Sequence, residues 1–445
     1  MTIETDLSSP LVVGFGVVGR AVGRALLLRG HQPVVIEDRP SATTRQAAVE
    51  LGFELVEGPT IDQVAELMER ATVLLPSPGV PDHHPSFALA AVAGVPVRSE
   101  FDLARMWDDR PLVAITGTNG KTTVTMMVTD ALERSGRRAA AVGNTEVPLI
   151  SAIDDEEIEI FVVEASSFRL GHSGSFRPDV ATWLNFAPDH LDAHASLESY
   201  EQAKAMIWTD LVDDGTAIAN GDDPVVVGHL PAGRCCQRFS VSDRTADWHV
   251  ADGSLVGPEG LLMDISDLAR SQPHDIENAL AMAATARAAG ASPSAIIDVL
   301  GSFQGLPHRL ELVGEWDQVA WYNDSKATVP QATEAAVGGF ASVVLIAGGR
   351  NKGLSLDGLG RLVPPVHHVI AIGDAADEVS AVFDGLVPVS SAGSMTGAVA
   401  AARSAAKPGD AVLLSPGCTS FDWYTSYVER GLDFCHVVRE EVAGS

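Results

Sequence analysis

The stretch Leu112-Val-Ala-Ile-Thr-Gly-Thr-Asn-Gly-Lys-Thr-Thr123 runs from an apolar segment straight into a glycine-rich turn and then into a helical pattern. An apolar run bounded by turn residues reads as a strand buried on both faces, the kind found in parallel sheets. The turn ends as a Walker loop does, Gly120-Lys121-Thr122, with Ile115 where the first Walker glycine would fall. Backbone N–H groups in such a turn cradle phosphates, Lys121 can reach the β- and γ-phosphates, and the Thr122 hydroxyl can hold Mg2+. Gly117, Thr118, Asn119, Gly120, Lys121, Thr122 and Thr123 are therefore the candidate phosphate site.

Upstream, Gly14-Phe-Gly16-Val-Val-Gly19 stands between a strand-like run, Leu11-Val-Val, and a helical stretch over 17–29, with Glu37-Asp38 further on. This is the context of a dinucleotide fingerprint, in which glycines admit a phosphate near a helix N-terminus. Three readings stand side by side: NAD or FAD, another nucleotide, or a tight turn without a ligand. Around both loops, strand-like runs alternate with helical stretches almost throughout, which predicts an α/β fold of parallel sheets covered by helices. Strands are expected at 33–36 and 95–97, then at 112–115, 158–164 and 180–186, and later at 343–347, 368–372 and 411–414. Helices are expected at 121–135, 198–211, 275–289 and 293–303, and small antiparallel hairpins over 245–266. Asp108-Asp-Arg-Pro111 and Gln304-Gly-Leu-Pro307 read as linkers. They predict three domains: a Rossmann-like one over 1–108, a central P-loop-type ATPase domain with its sheet and hairpins over 109–306, and a second Rossmann-like one over 307–445.

A length of 445 residues also suits about three domains. The chain is 46% apolar and 20% charged, a globular composition. Its 30 basic residues against 59 acidic ones give a net charge of −29, which repels phosphate backbones and anionic bilayers and argues against nucleic-acid and membrane partners. An anionic small substrate stays open, because local groups decide what a pocket holds. Cys235, Cys236, Cys418 and Cys435 have no C-x-x-C spacing, so neither a zinc site nor a disulfide framework is expected. No basic stretch follows Met1 and no apolar run is long enough to span a bilayer, so a soluble cytoplasmic protein is expected.

Only five of the 30 basic residues are lysine: Lys121, Lys204, Lys326, Lys352 and Lys407. Where positive charge alone serves, this chain uses arginine, so a retained lysine points to amine chemistry or a compact ammonium. Lys204, in Tyr200-Glu-Gln-Ala-Lys204, would otherwise read as a helix-surface lysine whose stem packs and whose head reaches water. Glu164 ends an apolar strand, where open α/β sheets place ligands; it reads either as a Mg2+ carboxylate or as a plain edge acid. In Asp189-His190-Leu-Asp192 the histidine reads first as structural. His308-Arg309, Asn323-Asp-Ser-Lys326-Ala-Thr328 and Gly348-Gly-Arg-Asn-Lys352-Gly are turn-rich clusters that, together with the phosphate loop, describe a nucleotide enzyme built from several domains.

The segments TGTNGKTT (116–123), EASSF (164–168), NFAPDHLD (185–192), YEQAK (200–204), GLPHR (305–309), NDSKAT (323–328) and GGRNKG (348–353) occur in this order. As a set, spanning essentially the whole chain, they resemble the Mur ligase family, ATP-dependent enzymes that add amino acids to the peptidoglycan precursor. The short Rossmann-like start, Ser77-Pro-Gly-Val80 and the ending Ser415-Pro-Gly-Cys-Thr-Ser-Phe-Asp-Trp-Tyr are similar to the members that add D-glutamate. The Asp-Asn-Pro-Arg of diaminopimelate-adding relatives is missing.

The resemblance implies ADP-forming ligation of D-glutamate to UDP-N-acetylmuramoyl-L-alanine through an acyl phosphate, with closure of three domains over one site. It implies that Val17, Val18, Gly19, Asp38, Arg39, Ser77, Gly79 and Asn144 hold the UDP substrate. Asn278 would face adenine, with Arg309, Asp324 and Lys326 completing the ATP site. Thr328, Lys352, Ser420, Phe421 and Tyr427 would receive D-glutamate. Lys121, His190, Lys204 and Arg309 would be catalytic. Thr122, Glu164, His190 and Lys204 would serve two Mg2+ ions, with Lys204 as a carbamate, and the enzyme would act as a monomer. Two departures stand out: Asn144 is followed by Thr-Glu-Val-Pro where Ile-Gly and a proline are familiar, and Tyr427 replaces a phenylalanine. The competing readings are a dinucleotide-dependent oxidoreductase built on Gly14 to Gly19, a P-loop protein that hydrolyses nucleotide only to switch conformation, and another Mur-type or folate-polyglutamating ligase.

Overall fold

A computed structural model describes residues 5–145, 147–189, 194–351 and 353–442, with Thr43 and Gln331 described in the backbone alone. The chain divides into two compact units, Met1–Phe303 and Gln304–Ser445. The first unit carries two sheets. β1 (Pro10–Val13), β2 (Val34–Glu37), β3 (Glu54–Glu57) and β4 (Val73–Pro76) form a parallel sheet in the order β3-β2-β1-β4. The expected strand at 95–97 is reduced to a single bridge, Leu74 to Val97. Pro96 has no N–H to give, so only its carbonyl joins the edge, accepting from Leu74 N at 2.9 Å.

The second sheet has nine strands: β5 (Leu112–Thr116), β6 (Ala139–Gly143), β7 (Ile160–Glu164), β8 (Val180–Trp183), β9 (Thr216–Asn220), β10 (Cys235–Ser240), β11 (Trp248–Ala251), β12 (Ser254–Gly257) and β13 (Gly260–Asp264). Their order is β13-β12-β11-β10-β9-β8-β5-β7-β6. Every residue of β5, β7 and β8 is buried, which is why these runs lack the polar alternation of a half-exposed strand. The expected hairpins at 245–266 are not a separate element: β11 pairs parallel with β10, and β12 and β13 extend the same sheet antiparallel. Helix Lys121–Arg134 covers β5 by burying Val124, Met127, Val128, Ala131 and Leu132, the three-and-four spacing of one helical face. Each Val, Met or Leu among them contributes about 1.5–3 kcal/mol on removal from water. The helix expected over 198–211 runs as Leu197–Ala205 and tightens into a 3-10 turn at Met206–Trp208.

In the second unit β14 (Glu311–Trp316) and β15 (Val319–Asn323) form an antiparallel hairpin, and β15 leads into parallel β16 (Val343–Gly348), β17 (Val366–Ile372), β18 (Val389–Ala392) and β19 (Ala411–Gly417). The order β14-β15-β19-β16-β17-β18 places the C-terminal ends of β15, β16 and β19 side by side. The fold is thus α/β with parallel-rich sheets, as the alternating pattern predicts. Among the described residues no helix is long and apolar enough to cross a membrane.

Candidate active site

The phosphate loop leaves β5 at the buried Thr116 and turns through Gly117 (φ 156°) and Gly120 (φ 82°) into helix Lys121–Arg134. Only glycine adopts such angles without strain. The Asn185 side-chain oxygen accepts from Thr118 N at 3.0 Å and Asn119 N at 2.8 Å, which pins the tip of the loop. Lys121 Nζ folds back to donate to the Gly117 and Thr118 carbonyl oxygens, both at 2.9 Å. Thr122 and Thr123 occupy the first helical turn, half-buried, and Thr123 shares a recess with Asn278, Leu268 and Phe303.

Lys204 is not the solvated lysine that its helix position alone predicts. It is 1% exposed, and its Nζ donates to the Gly117 carbonyl at 2.7 Å. The amine lies 4.6 Å from the centre of the Tyr200 ring. Burial, reinforced by the charge on Lys121, brings its pKa down to about 6. At neutral pH this amine is mostly uncharged. The bland expectation fails because helix Leu197–Ala205 packs Tyr200, Ala203 and Lys204 inward together.

Glu164 ends β7 beside β5, in register with Ile115. It is 2% exposed; one carboxylate oxygen accepts from Asn144 Nδ2 at 2.9 Å, while Oε2 is buried with no hydrogen-bond partner among the described residues. An orphaned carboxylate oxygen and a threonine hydroxyl are both hard-oxygen donors of the kind a cation such as Mg2+ takes. Asn144 is held at both ends of its amide, because Arg169 Nη1 donates to its oxygen at 3.2 Å. Arg169 in turn forms a buried ion pair with Glu100 at 2.9 Å, their side chains 6% and 1% exposed. Burial lowers the Arg169 pKa and raises that of Glu100, each offset by the other's charge.

Arg169 also borders a cleft of about 400 Å3 over the Gly14–Gly19 turn. Val17, Val18, Asp38, Ser77 and Gly79 line it, five of the residues expected to hold the UDP substrate. Gly19 lies beneath the turn, where a Cβ would fall 1.9 Å from the Gly14 oxygen. Arg39 is exposed beside the cleft, its N–H donating to Glu37. The second Glu37 oxygen accepts from Phe15 N at 2.8 Å, so this acid closes the glycine turn instead of waiting for a ribose.

In the second unit Asp324 is 7% exposed, accepting from Ser415 Oγ at 2.7 Å and Leu310 N at 3.2 Å. Burial raises its pKa to about 6. Lys326 N donates to the His308 carbonyl, which ties the GLPHR segment to the NDSK loop and sets the exposed Arg309 beside it. The Lys326 ammonium stands 5.2 Å from the Tyr427 ring centre. Thr328 is half-buried, Ser420 is buried and Phe421 is 59% exposed. His190 and Lys352 lie outside the described residues.

Three residues escaped the sequence reading: Asn185, Arg169 and its partner Glu100. Asn185 and Arg169 lie inside or beside quoted motifs, which is a usable signal; Glu100 carries none.

Residues 115–286 match the family model described as the Mur ligase middle domain, and residues 308–418 match that of the Mur ligase glutamate ligase domain. The chain is 37% identical over 450 residues to the UDP-N-acetylmuramoylalanine–D-glutamate ligase of Desulfosudis oleivorans, covering 98% of this chain and 97% of that protein. It is 40% identical over 456 residues to the protein of the same name from Frankia casuarinae, covering 96% and 93%. Among solved structures it is similar to the UDP-N-acetylmuramate-alanine ligase MurC of Thermotoga maritima, at TM-score 0.54 and 15% identity over 97% of this chain and 99% of that one. MurF of Acinetobacter baumannii is similar too, at TM-score 0.54 and 18% identity over 96% and 90%. At these identities the structural likeness speaks for the fold alone.

Proposed function

We propose that this chain, which belongs to the Mur ligase family, is an ADP-forming ligase that joins D-glutamate to UDP-N-acetylmuramoyl-L-alanine. The observation that carries the reading is near full-length identity of 35–40% with relatives of that name. The loop, cleft and buried amine described above give it a chemistry. It acts in the cytoplasm as a monomer, without nucleic acid or membrane.

In this reading the cleft over Gly14–Gly19 takes the UDP moiety through Val17, Val18, Gly19, Asp38, Arg39, Ser77 and Gly79, and Asn144 faces the muramoyl-alanine part. The phosphate loop takes ATP, with Lys121 moving from the Gly117 and Thr118 carbonyls to the β- and γ-phosphates. Asn278 meets adenine, and the family resemblance also assigns Arg309, Asp324 and Lys326 to ATP. Thr122 and Glu164 hold Mg2+, with His190 and a carbamate on Lys204 toward a second ion; bound Mg2+ neutralises charge on the phosphates. The alanyl carboxylate oxygen attacks the γ-phosphorus and ADP leaves, giving an acyl phosphate. The D-glutamate amine, held through Thr328, Lys352, Ser420, Phe421 and Tyr427, attacks the carbonyl carbon. The tetrahedral adduct loses phosphate and the amine gives up its proton. Such transfer rests on positioning and charge neutralisation, which the loop supplies.

The Lys204 carbamate follows from amine chemistry. A neutral amine adds CO2 with loss of one proton, giving a carbamate whose single negative charge is shared over two oxygens on a long arm where an ammonium would repel the metal. The test of the function is phosphate release from ATP measured with each candidate pair. Release requires both UDP-N-acetylmuramoyl-L-alanine and D-glutamate; release supported by L-lysine or diaminopimelate in place of D-glutamate would reassign the step.

A further inference from the structure

Arg430 is 1% exposed in the second unit, and among the described residues no carboxylate lies within ion-pairing distance of it. A buried arginine normally meets an acid, because desolvating a lone charge is costly. Here Nε donates to Ser325 Oγ at 2.9 Å, Nη2 to the Ser325 carbonyl at 2.8 Å and Nη1 to the Cys418 carbonyl at 3.1 Å. Ser325 Oγ passes the chain on, donating to the Tyr427 carbonyl at 2.8 Å. Gly349, at φ 124°, lies on the guanidinium: a Cβ there would sit 3.1 Å from Nη1 and 2.2 Å from the Thr419 oxygen. Arg350 and Thr419 then exchange backbone hydrogen bonds at 2.8 and 3.0 Å. One planar group therefore joins the loops after β15, β16 and β19 to the start of helix Tyr427–Glu441. The next residue completes the fit, since a Cβ on Gly431 would fall 2.2 Å from His308 Nδ1. Asp422, whose charge favours the protonated guanidinium most, accepts from Asp374 N at 3.0 Å instead of pairing with it.

We propose that Arg430 is the positioning residue of the amino-acid site, and that its charge, which no carboxylate among the described residues ion-pairs, biases that site toward a substrate carrying a side-chain carboxylate. The inference rests on the D-glutamate reading above. Three of the four segments it joins, the loops after β15 and β19 and the start of helix Tyr427–Glu441, carry Asp324, Lys326, Thr328, Ser420, Phe421 and Tyr427, so the guanidinium sets their spacing. Its five N–H donors lie in a fixed plane, which lysine cannot reproduce. The field of a buried charge reaches a bound carboxylate with less screening than a surface charge does.

Steady-state kinetics on the full chain tests this with Arg430→Lys, Arg430→Ala and Ser325→Ala, after wild type is shown to use D-glutamate; failure at that first step rejects the function and not this inference. The expected result for Arg430→Lys is a KM for D-glutamate raised about tenfold or more, with kcat reduced less and the KM for UDP-N-acetylmuramoyl-L-alanine within about twofold. Preference for D-glutamate over D-glutamine falls in Arg430→Ala, and added guanidinium ion restores part of the rate. Ser325→Ala, which removes only a hydroxyl partner, raises the D-glutamate KM by a smaller factor and keeps the inference testable should Arg430→Ala not fold. Unchanged D-glutamate KM in both Arg430→Lys and Ser325→Ala would overturn the proposal. So would an equal loss toward every substrate with no response to guanidinium.

Discussion

Lys204 Nζ stands 2.7 Å from the carbonyl oxygen of Gly117, the same oxygen to which Lys121 donates at 2.9 Å. Two amines of like charge meet at one backbone atom, and the more buried of them becomes the neutral one. Nucleophilic lysine chemistry depends on such a depressed pKa.

Lys204→Arg should abolish most phosphate release, because guanidinium cannot add CO2 and stays charged when buried. Labelled bicarbonate should give a carbamate carbon signal by NMR in the wild type and none in the variant. A small carboxylate should restore part of the rate to Lys204→Ala. Full activity of Lys204→Arg would dispose of the adduct.

Glu164→Gln should uncouple the protein from Mg2+. The carboxylate oxygen that has no partner among the described residues costs about 1–3 kcal/mol in the metal-free state, and neutralising the group removes most of the reason to bind a cation. Thermal unfolding without nucleotide should show Mg2+ raising the wild-type Tm and leaving that of the variant in place. A variant whose Tm still climbs with Mg2+ would move the ion elsewhere.

Breaking the buried ion pair should cost more than removing it. Arg169→Met leaves Glu100 charged and buried, and a loss of about 3–5 kcal/mol is expected. Arg169→Met combined with Glu100→Gln should recover most of that in urea unfolding, while calorimetry still reports weakened UDP-substrate binding because Arg169 borders the cleft. Equal losses in the single and double variants would mean that the pair does not act as a unit.

Asp324 gives a pH signature. Its folded pKa of about 6 lies above the roughly 3.9 of an unfolded aspartate, so the folded state holds the proton more tightly. The stability this provides is fully present below about pH 4 and is lost as pH rises through about 6. Asp324→Asn should therefore exceed the wild type in stability at pH 7 by about 1–3 kcal/mol, with the gap closing toward pH 4. A gap independent of pH would assign the effect to packing.

Much of this molecule is legible in residue types. Gly117 and Gly120 announce the tight turn between strand and helix, because few other residues meet its backbone angles. The lysine census singled out Lys204 before its burial was visible. What stayed hidden depends on the third dimension. Arg430 reads as an ordinary polar position on an amphipathic helix until three loops are seen to converge on it. Glu100, in the first turn of helix Glu100–Trp107, looks like a favourable helix-start acid. The strand at 311–316 was missed because its half-exposed residues neither alternate cleanly nor form an apolar run.

Gly120 and Asn278, far apart in sequence, touch so closely that a Cβ on Gly120 would fall 2.5 Å from the Asn278 side-chain oxygen. The positive φ of Gly120 already disfavours any other residue there. In evolutionary terms the two positions are not free to drift separately. A lineage that enlarges the loop at 120 must shrink the helix at 278, and a lineage that lengthens 278 pushes on the glycine turn. The reading predicts correlated change at this pair across relatives, with each position individually narrow. If Asn278 meets adenine as proposed above, base and phosphates are measured against one shared gauge, and a change in base preference would carry a cost in phosphate geometry.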